Sequence, residues 1–196
     1  MLASYQEFDF SDRKQEIRQN ATDIIASEGY GKLTMRALAR ASGMKLGALQ
    51  YHFRTWEDVL QALASHIAIT YRRSFAALES DEDSLSIRDI AKFLFDDEPG
   101  TALQADRLFP QLWAMARVEP VMEKLLDDIY QEYLDKFETE LVAMNAKAPR
   151  ADALALVSLI EGATLFVGSD RRWESDKVAV REAVLAIIDA RYGSED

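Results

Sequence analysis

No proline occurs before Pro99, so the first half of this 196-residue chain is free to form uninterrupted helices. Apolar residues recur three and four positions apart along nearly its whole length, which is the spacing of one helix face. Alternating β-branched runs bounded by turn pairs, the mark of strands, are nearly missing. Even valine and isoleucine keep the helical period, as in Val178, Val184, Leu185 and Ile188. These patterns predict an all-α fold, and the length is ample for burying a core.

Capping and breaking residues divide the pattern into segments. A first helix is expected from Ser11 or Asp12 to about Glu28, with Ile17, Ala21, Ile24 and Ile25 inward and Gly29-Tyr30-Gly31 ending it. Thr34 is placed to cap a short second helix that turns Met35, Leu38 and Ala39 inward. Ala41-Ser42-Gly43-Met44 reads as a turn, and a third short helix is expected over Lys45 to His52. Thr55-Trp56-Glu57-Asp58 has the spacing of a capping box and opens a long fourth helix to about Leu78. Glu79 to Ser86 and Asp96 to Gly100 read as breaks around a helix at Ile87 to Phe95. The remaining helices are expected at Thr101 to Arg117 (kinked at Pro110), Val121 to Asn145, Arg150 to Gly168 and Ser175 to Tyr192.

Two short helices joined by a four-residue glycine turn have the proportions of a helix-turn-helix. The net charge of −11 argues against a nucleic-acid partner. Its distribution reverses that argument. From Gly29 to Trp56 the chain holds Lys32, Arg36, Arg40, Lys45 and Arg54 and not one acid, while residues 76–196 carry a net −13. A solvated face normally mixes both signs, so this window points to a polyanion. The third predicted helix adds small residues for close approach (Gly47, Ala48), a base-edge hydrogen-bonder (Gln50), and Tyr51 and His52, which can donate to phosphates. Phe53 reads as core; Tyr51 can pack its ring inward, reach DNA with its hydroxyl, or do both.

The stretch from Gly29 through Ala39, the run Ala41-Ser42-Gly43-Met44-Lys45-Leu46-Gly47-Ala48-Leu49-Gln50-Tyr51-His52-Phe53, and the trailing Arg54 to Leu60 resemble the N-terminal domain of the TetR/AcrR family of transcriptional regulators. The resemblance implies a DNA-binding domain over residues 11–60 and a helical ligand-binding and dimerisation domain over 61–196. It implies contacts to a double-stranded operator from Thr34, Lys45, Leu46, Gly47, Ala48 and Gln50, with Tyr51 and His52 at the backbone; the charges of Arg36 and Arg54 complete the expected surface. Lys45 stands where the family usually has serine or threonine, and Trp56 where lysine is frequent. The implied function is a homodimeric repressor released by a small apolar or aromatic inducer. The alternative, favoured by Lys45 and Trp56, is a helical small-molecule or interaction module with a degenerate helix-turn-helix.

The second half is rich in rings and methionines at helical spacing. Such residues are usually core, but Phe109, Trp113, Tyr130, Tyr133, Phe137 and Phe166 are the candidates for an inducer pocket. Leu156, Leu159, Ile160, Ala163, Phe166 and Val167 form one stripe on the penultimate helix, and Val180, Val184, Leu185, Ile187 and Ile188 another on the last; both are candidates for a dimer face and both can pack within the chain. Enzymatic signatures fail. The two histidines, His52 and His66, follow leucine rather than glutamate at the E-x-x-H position, and Gly29-Tyr30-Gly31 is followed by Thr34 where a third glycine would stand. The absence of cysteine excludes disulfides and thiolate chemistry. No catalytic residue, metal or cofactor is expected. Met1 to Phe10 lacks a basic leader and no apolar run approaches membrane length, so a cytoplasmic protein is expected.

Overall fold

A computed structural model describes residues 12–78, 85–95 and 105–193, and every regular element among them is helical. α1 (Asp12–Glu28) buries Ile17, Ala21, Ile24 and Ile25 at the spacing that the sequence predicts. A 3-10 turn (Tyr30–Lys32) leads to α2 (Met35–Ala41), where the Thr34 hydroxyl accepts from the Ala37 N–H at 3.1 Å. α3 (Leu46–His52) follows, then α4 (Trp56–Leu78), which opens on a reciprocal capping box. The Thr55 N–H donates to Asp58 at 2.9 Å and the Asp58 N–H to the Thr55 hydroxyl at 3.1 Å. The bond from the Thr55 N–H, with smaller contributions from the Thr55 hydroxyl and from Arg54, holds the Asp58 carboxyl below its usual range.

The remaining helices are α5 (Ile87–Phe95), α6 (Ala105–Ala116), α7 (Pro120–Ala143), α8 (Pro149–Val167) and α9 (Lys177–Tyr192). α6 continues through Pro110, and Pro120 occupies the first position of α7. The breaks expected at 79–84 and 96–100, the cap at Ser11 and the helix start at 101–104 lie outside the described residues. Among the described residues, no helix is long and apolar enough to cross a membrane.

Two compact units result. One joins Met1–Ala76 to Gly100–Ile129, the other Ala77–Pro99 to Tyr130–Asp196. The division passes through α4 and α7, whereas a sequence boundary at residue 60 falls inside α4, whose hydrogen-bond ladder runs on without a break. The first unit packs Leu38, Leu49, Phe53, Leu60, Leu63 and Ile67 into one core, with α6 against α1. The second packs Ile90 and Phe95 of α5, Tyr133 and Phe137 of α7, Leu156 and Ile160 of α8, and Leu185 and Ile188 of α9. Arg88 of α5 pairs with Asp189 of α9, and Arg191 with Asp152 of α8 at 2.6 Å.

Candidate nucleic-acid interface

The α2–α3 turn closes by a fixed hydrogen-bond scheme. The Met44 N–H donates to the Ala39 carbonyl at 2.9 Å and the Gly43 N–H to the Arg40 carbonyl at 3.0 Å, the two bonds of a Schellman ending. That ending needs a left-handed residue, and Gly43 supplies φ +62°. α1 holds the turn from behind: Arg13 donates to the Ser42 carbonyl at 2.5 Å and Asn20 to the Ser42 hydroxyl at 3.2 Å. A Cβ at position 43 would meet open space, so the cost of Gly43→Ala is backbone strain alone. We expect a loss of about 1 kcal/mol, less for Gly43→Asn, which chemical denaturation will measure.

Thus fixed, α3 turns Leu49 fully inward and leaves Lys45, Gly47, Ala48, Gln50 and Tyr51 exposed. Leu46 and His52 are half-buried at its edges. The Tyr51 ring is 86% exposed and meets His52 edge-on at 5.7 Å, so it does not pack inward as one sequence expectation had it; the inward positions of this two-turn helix are filled by Leu49 and Phe53. Lys45 precedes the helix without a side-chain cap, which leaves its ammonium to solvent. Thr34, Arg36 and Arg54 are likewise exposed. Among the described residues, none of Lys32, Arg36, Arg40 and Lys45 forms an ion pair. Their charge is therefore uncompensated where a duplex could meet it.

Trp56 has a different task from the phosphate contact that a lysine there would make. It is half-buried beside Tyr30, whose hydroxyl donates to the Glu119 carboxylate. Withdrawal from water, reinforced by Glu119, pushes the Tyr30 phenol up to about 12. The Tyr30 N–H donates to Gln111 of α6 at 3.2 Å. The loop ahead of α2 is thereby tied to residues 81 and 89 positions away. No local pattern announces these ties.

Residues 17–63 match the family model of bacterial regulatory proteins, tetR family. The chain carries a TetR-type N-terminal domain. That domain is a helix-turn-helix, and α3 is its exposed second helix, the element that enters the major groove in such motifs. Solved TetR-like folds accompany the chain over nearly its whole length. A TetR-family regulator structure from Rhodococcus sp. gives a TM-score of 0.73 at 22% identity, covering 94% of this chain and 100% of the other. A choline-bound transcriptional regulator from Saccharomonospora viridis gives 0.73 at 21%, covering 91% and 96%. The multidrug binding protein EbrR complexed with imidazole gives 0.58 at 22%, covering 90% and 95%. Among the curated proteins, none matches significantly.

The expected pocket residues are divided between the two units. Phe109 and Trp113 belong to the first unit, where Phe109 is buried against Tyr71 (ring centroids 5.5 Å apart) and Trp113 is exposed. Tyr130, Tyr133, Phe137 and Phe166 belong to the second; Tyr133 and Phe137 are buried, whereas Phe166 lies on the surface beside Trp173. Of the eleven residues in the two candidate dimer stripes, Leu156, Ile160, Val167, Val184, Leu185 and Ile188 are buried within a single chain. Leu159, Phe166 and Ile187 are exposed, and Ala163 and Val180 are half-buried. α8 and α9 are apolar on two faces, and the period does not say which face meets the chain's own core. The outward face holds Leu154, Ala155, Leu159, Leu165 and Phe166 on α8 and Ala179, Ala183, Ala186 and Ile187 on α9.

Two titratable groups are withdrawn from water away from α3. His66 of α4 stands 3.3 Å from the Gln19 side-chain oxygen, and burial, then Arg18 and Arg73, push it down to about 4 against the weaker opposing pull of Asp23. Glu161 of α8 is pushed up to about 7 by burial, opposed by a hydrogen bond from Tyr130. Between pH 6.5 and 4 the unfolded chain protonates at His66 before the folded one, so this group removes stability as pH falls. Between 7 and 4.5 the folded chain protonates first at Glu161, which adds stability as pH falls. Each is worth about 3 kcal/mol across its window. We expect the two to offset one another, so that, relative to the unsubstituted chain, His66→Gln gains stability on acidification and Glu161→Gln loses it. Urea unfolding at pH 7.5 and 4.5 checks both signs.

Proposed function

We propose that this chain is a TetR-family regulator, a homodimeric repressor whose operator affinity falls when a small apolar or aromatic molecule binds its helical second half. The observation that carries the reading is α3, with Lys45, Gly47, Ala48, Gln50 and Tyr51 exposed on a surface of unpaired bases. In this reading Lys45, Tyr51, His52, Thr34, Arg36 and Arg54 hold phosphates, while Gln50 and the small or apolar Leu46, Gly47 and Ala48 meet base edges in the major groove. Residues 11–60 read DNA, and residues 61–196 bind the inducer and form the dimer.

The outward face of α8 and α9 supports the dimer, since two adjacent helices leave leucine, isoleucine, phenylalanine and alanine side chains to solvent. The choline and imidazole complexes of similarly folded proteins support a small-molecule effector. An effector lowers DNA affinity only by binding the non-binding arrangement more tightly, and that coupling is reciprocal. The protein acts in the cytoplasm, with access to the chromosome.

Selection of bound duplexes from a random pool tests the reading. Recovered sites should be two-fold symmetric, with half-sites about 34–36 Å apart or a multiple of that spacing. Affinity should fall steeply and log-linearly with salt. Recovery of lone half-sites would remove the dimer, and salt-independent binding would remove the phosphate contacts.

A further inference from the structure

Gly47 stands in the first turn of α3 without a reason internal to the chain. Its φ lies outside the left-handed region, and a Cβ built there would meet nothing within 4 Å. Glycine at a position that alanine could fill without a clash only adds to the entropy lost on folding. The exposed Gly47 therefore marks a place where something outside the chain comes close to the helix backbone. The positive charge of Lys32, Arg36, Arg40 and Lys45, with no acid between Gly29 and Trp56, commits that partner to a polyanion.

Leu46 and Gln50 are one turn apart and share the flank of α3 beside Gly47. Gln50 is exposed, and Leu46 is half-buried, which leaves part of an apolar side chain at the surface. Each has a match on the major-groove edge of a duplex. The Gln50 amide holds a donor and an acceptor in one plane, the complement of adenine N7 and N6. Lys45 offers donors alone, and the acid-free window has no carboxylate to accept from cytosine N4. The apolar group on that edge of the natural bases is the thymine 5-methyl.

We propose that Gly47 is where the duplex lies closest to α3, and that Gln50 and Leu46 beside it read an adenine edge and the 5-methyl group of a neighbouring thymine. This rests on the reading of α3 as the DNA-reading helix and names the bases that it selects. The missing Cβ lets the helix backbone sink toward the groove floor, which brings the Leu46 side chain within van der Waals reach of the methyl. The requirement is for the methyl group itself, so uracil, which pairs with adenine in the same way, is discriminated against.

The test uses the full-length protein and a duplex selected from the random pool, read by fluorescence anisotropy. Deoxyuridine replaces each thymine of both half-sites in turn, and 7-deazaadenine each adenine. At one thymine per half-site the lost methyl should weaken binding by about tenfold, summed over the two half-sites. An adenine beside it should show a comparable loss when its N7 is removed. Leu46→Ala should bind the thymine and uracil duplexes alike, and Gln50→Ala the adenine and 7-deazaadenine duplexes alike. Each comparison is made within one variant, so a change in overall affinity does not enter it. Gly47→Ala should leave the melting temperature unlowered yet weaken every duplex by about tenfold, because the added methyl overpacks the groove. If Leu46→Ala loses its fold by circular dichroism, the modified duplexes on the unsubstituted protein decide. A duplex that tolerates uracil and 7-deazaadenine at every position overturns the readout and leaves the DNA-binding regulator standing. So does a Gly47→Ala variant that binds as tightly as the unsubstituted chain. Recovery of no duplex from the pool removes the regulator and the readout together.

Discussion

Replacing Lys45 and Tyr51 together by alanine is expected to weaken duplex binding by roughly a thousandfold. The two side chains occur twice in a dimer, so four contacts are lost. At about 1 kcal/mol net for each hydrogen bond, the sum is about 4 kcal/mol. The salt dependence identifies the cause. Removal of two ammonium groups per dimer should reduce the slope of log affinity against log salt by about 2. Neither side chain is packed, the Tyr51 ring being 86% exposed, so the melting temperature should hardly move. Fluorescence anisotropy with a labelled duplex at several salt concentrations measures both quantities. An unchanged affinity and slope would take α3 out of the interface.

Leu165→Glu combined with Ile187→Glu should convert the protein to monomers at micromolar concentration. Both residues lie on the outward face, 51% and 54% exposed, so the carboxylates are tolerated by the single chain and opposed only across an interface. Sedimentation velocity reads the state directly. Operator affinity should collapse with it, because two half-sites then bind independently. Leu185→Glu is the contrasting variant: that side chain is fully buried against α9's own neighbours, so a charge there should unfold the second unit. A double variant that stays dimeric would place the interface elsewhere.

These predictions draw unequally on sequence. The α2–α3 turn was legible to the residue, because a Schellman ending at Gly43 depends on atoms within five positions. The same holds for the Thr34 cap and the Thr55–Asp58 box. The acid-free window around α3 was legible because exposed charge needs no knowledge of packing. Tyr51 was not: an aromatic residue at the end of a short helix fits either the core or the surface, and Leu49 and Phe53 had already filled the inward positions. Trp56, standing where lysine is frequent, is half-buried beside Tyr30.

The sequence by itself determined the helices, their caps, the turn that presents α3 and the sign of the charge around it. All of these follow from interactions within about one helical turn. Tertiary structure alone decided which stripe of α8 and α9 faces the chain's own core, that Tyr30 joins Gln111 and Glu119, and that Glu161 sits withdrawn from water beside Tyr130. Helical periodicity records that a face is apolar. What covers that face, and how far a carboxyl beside it is dehydrated, depends on side chains supplied from distant parts of the chain.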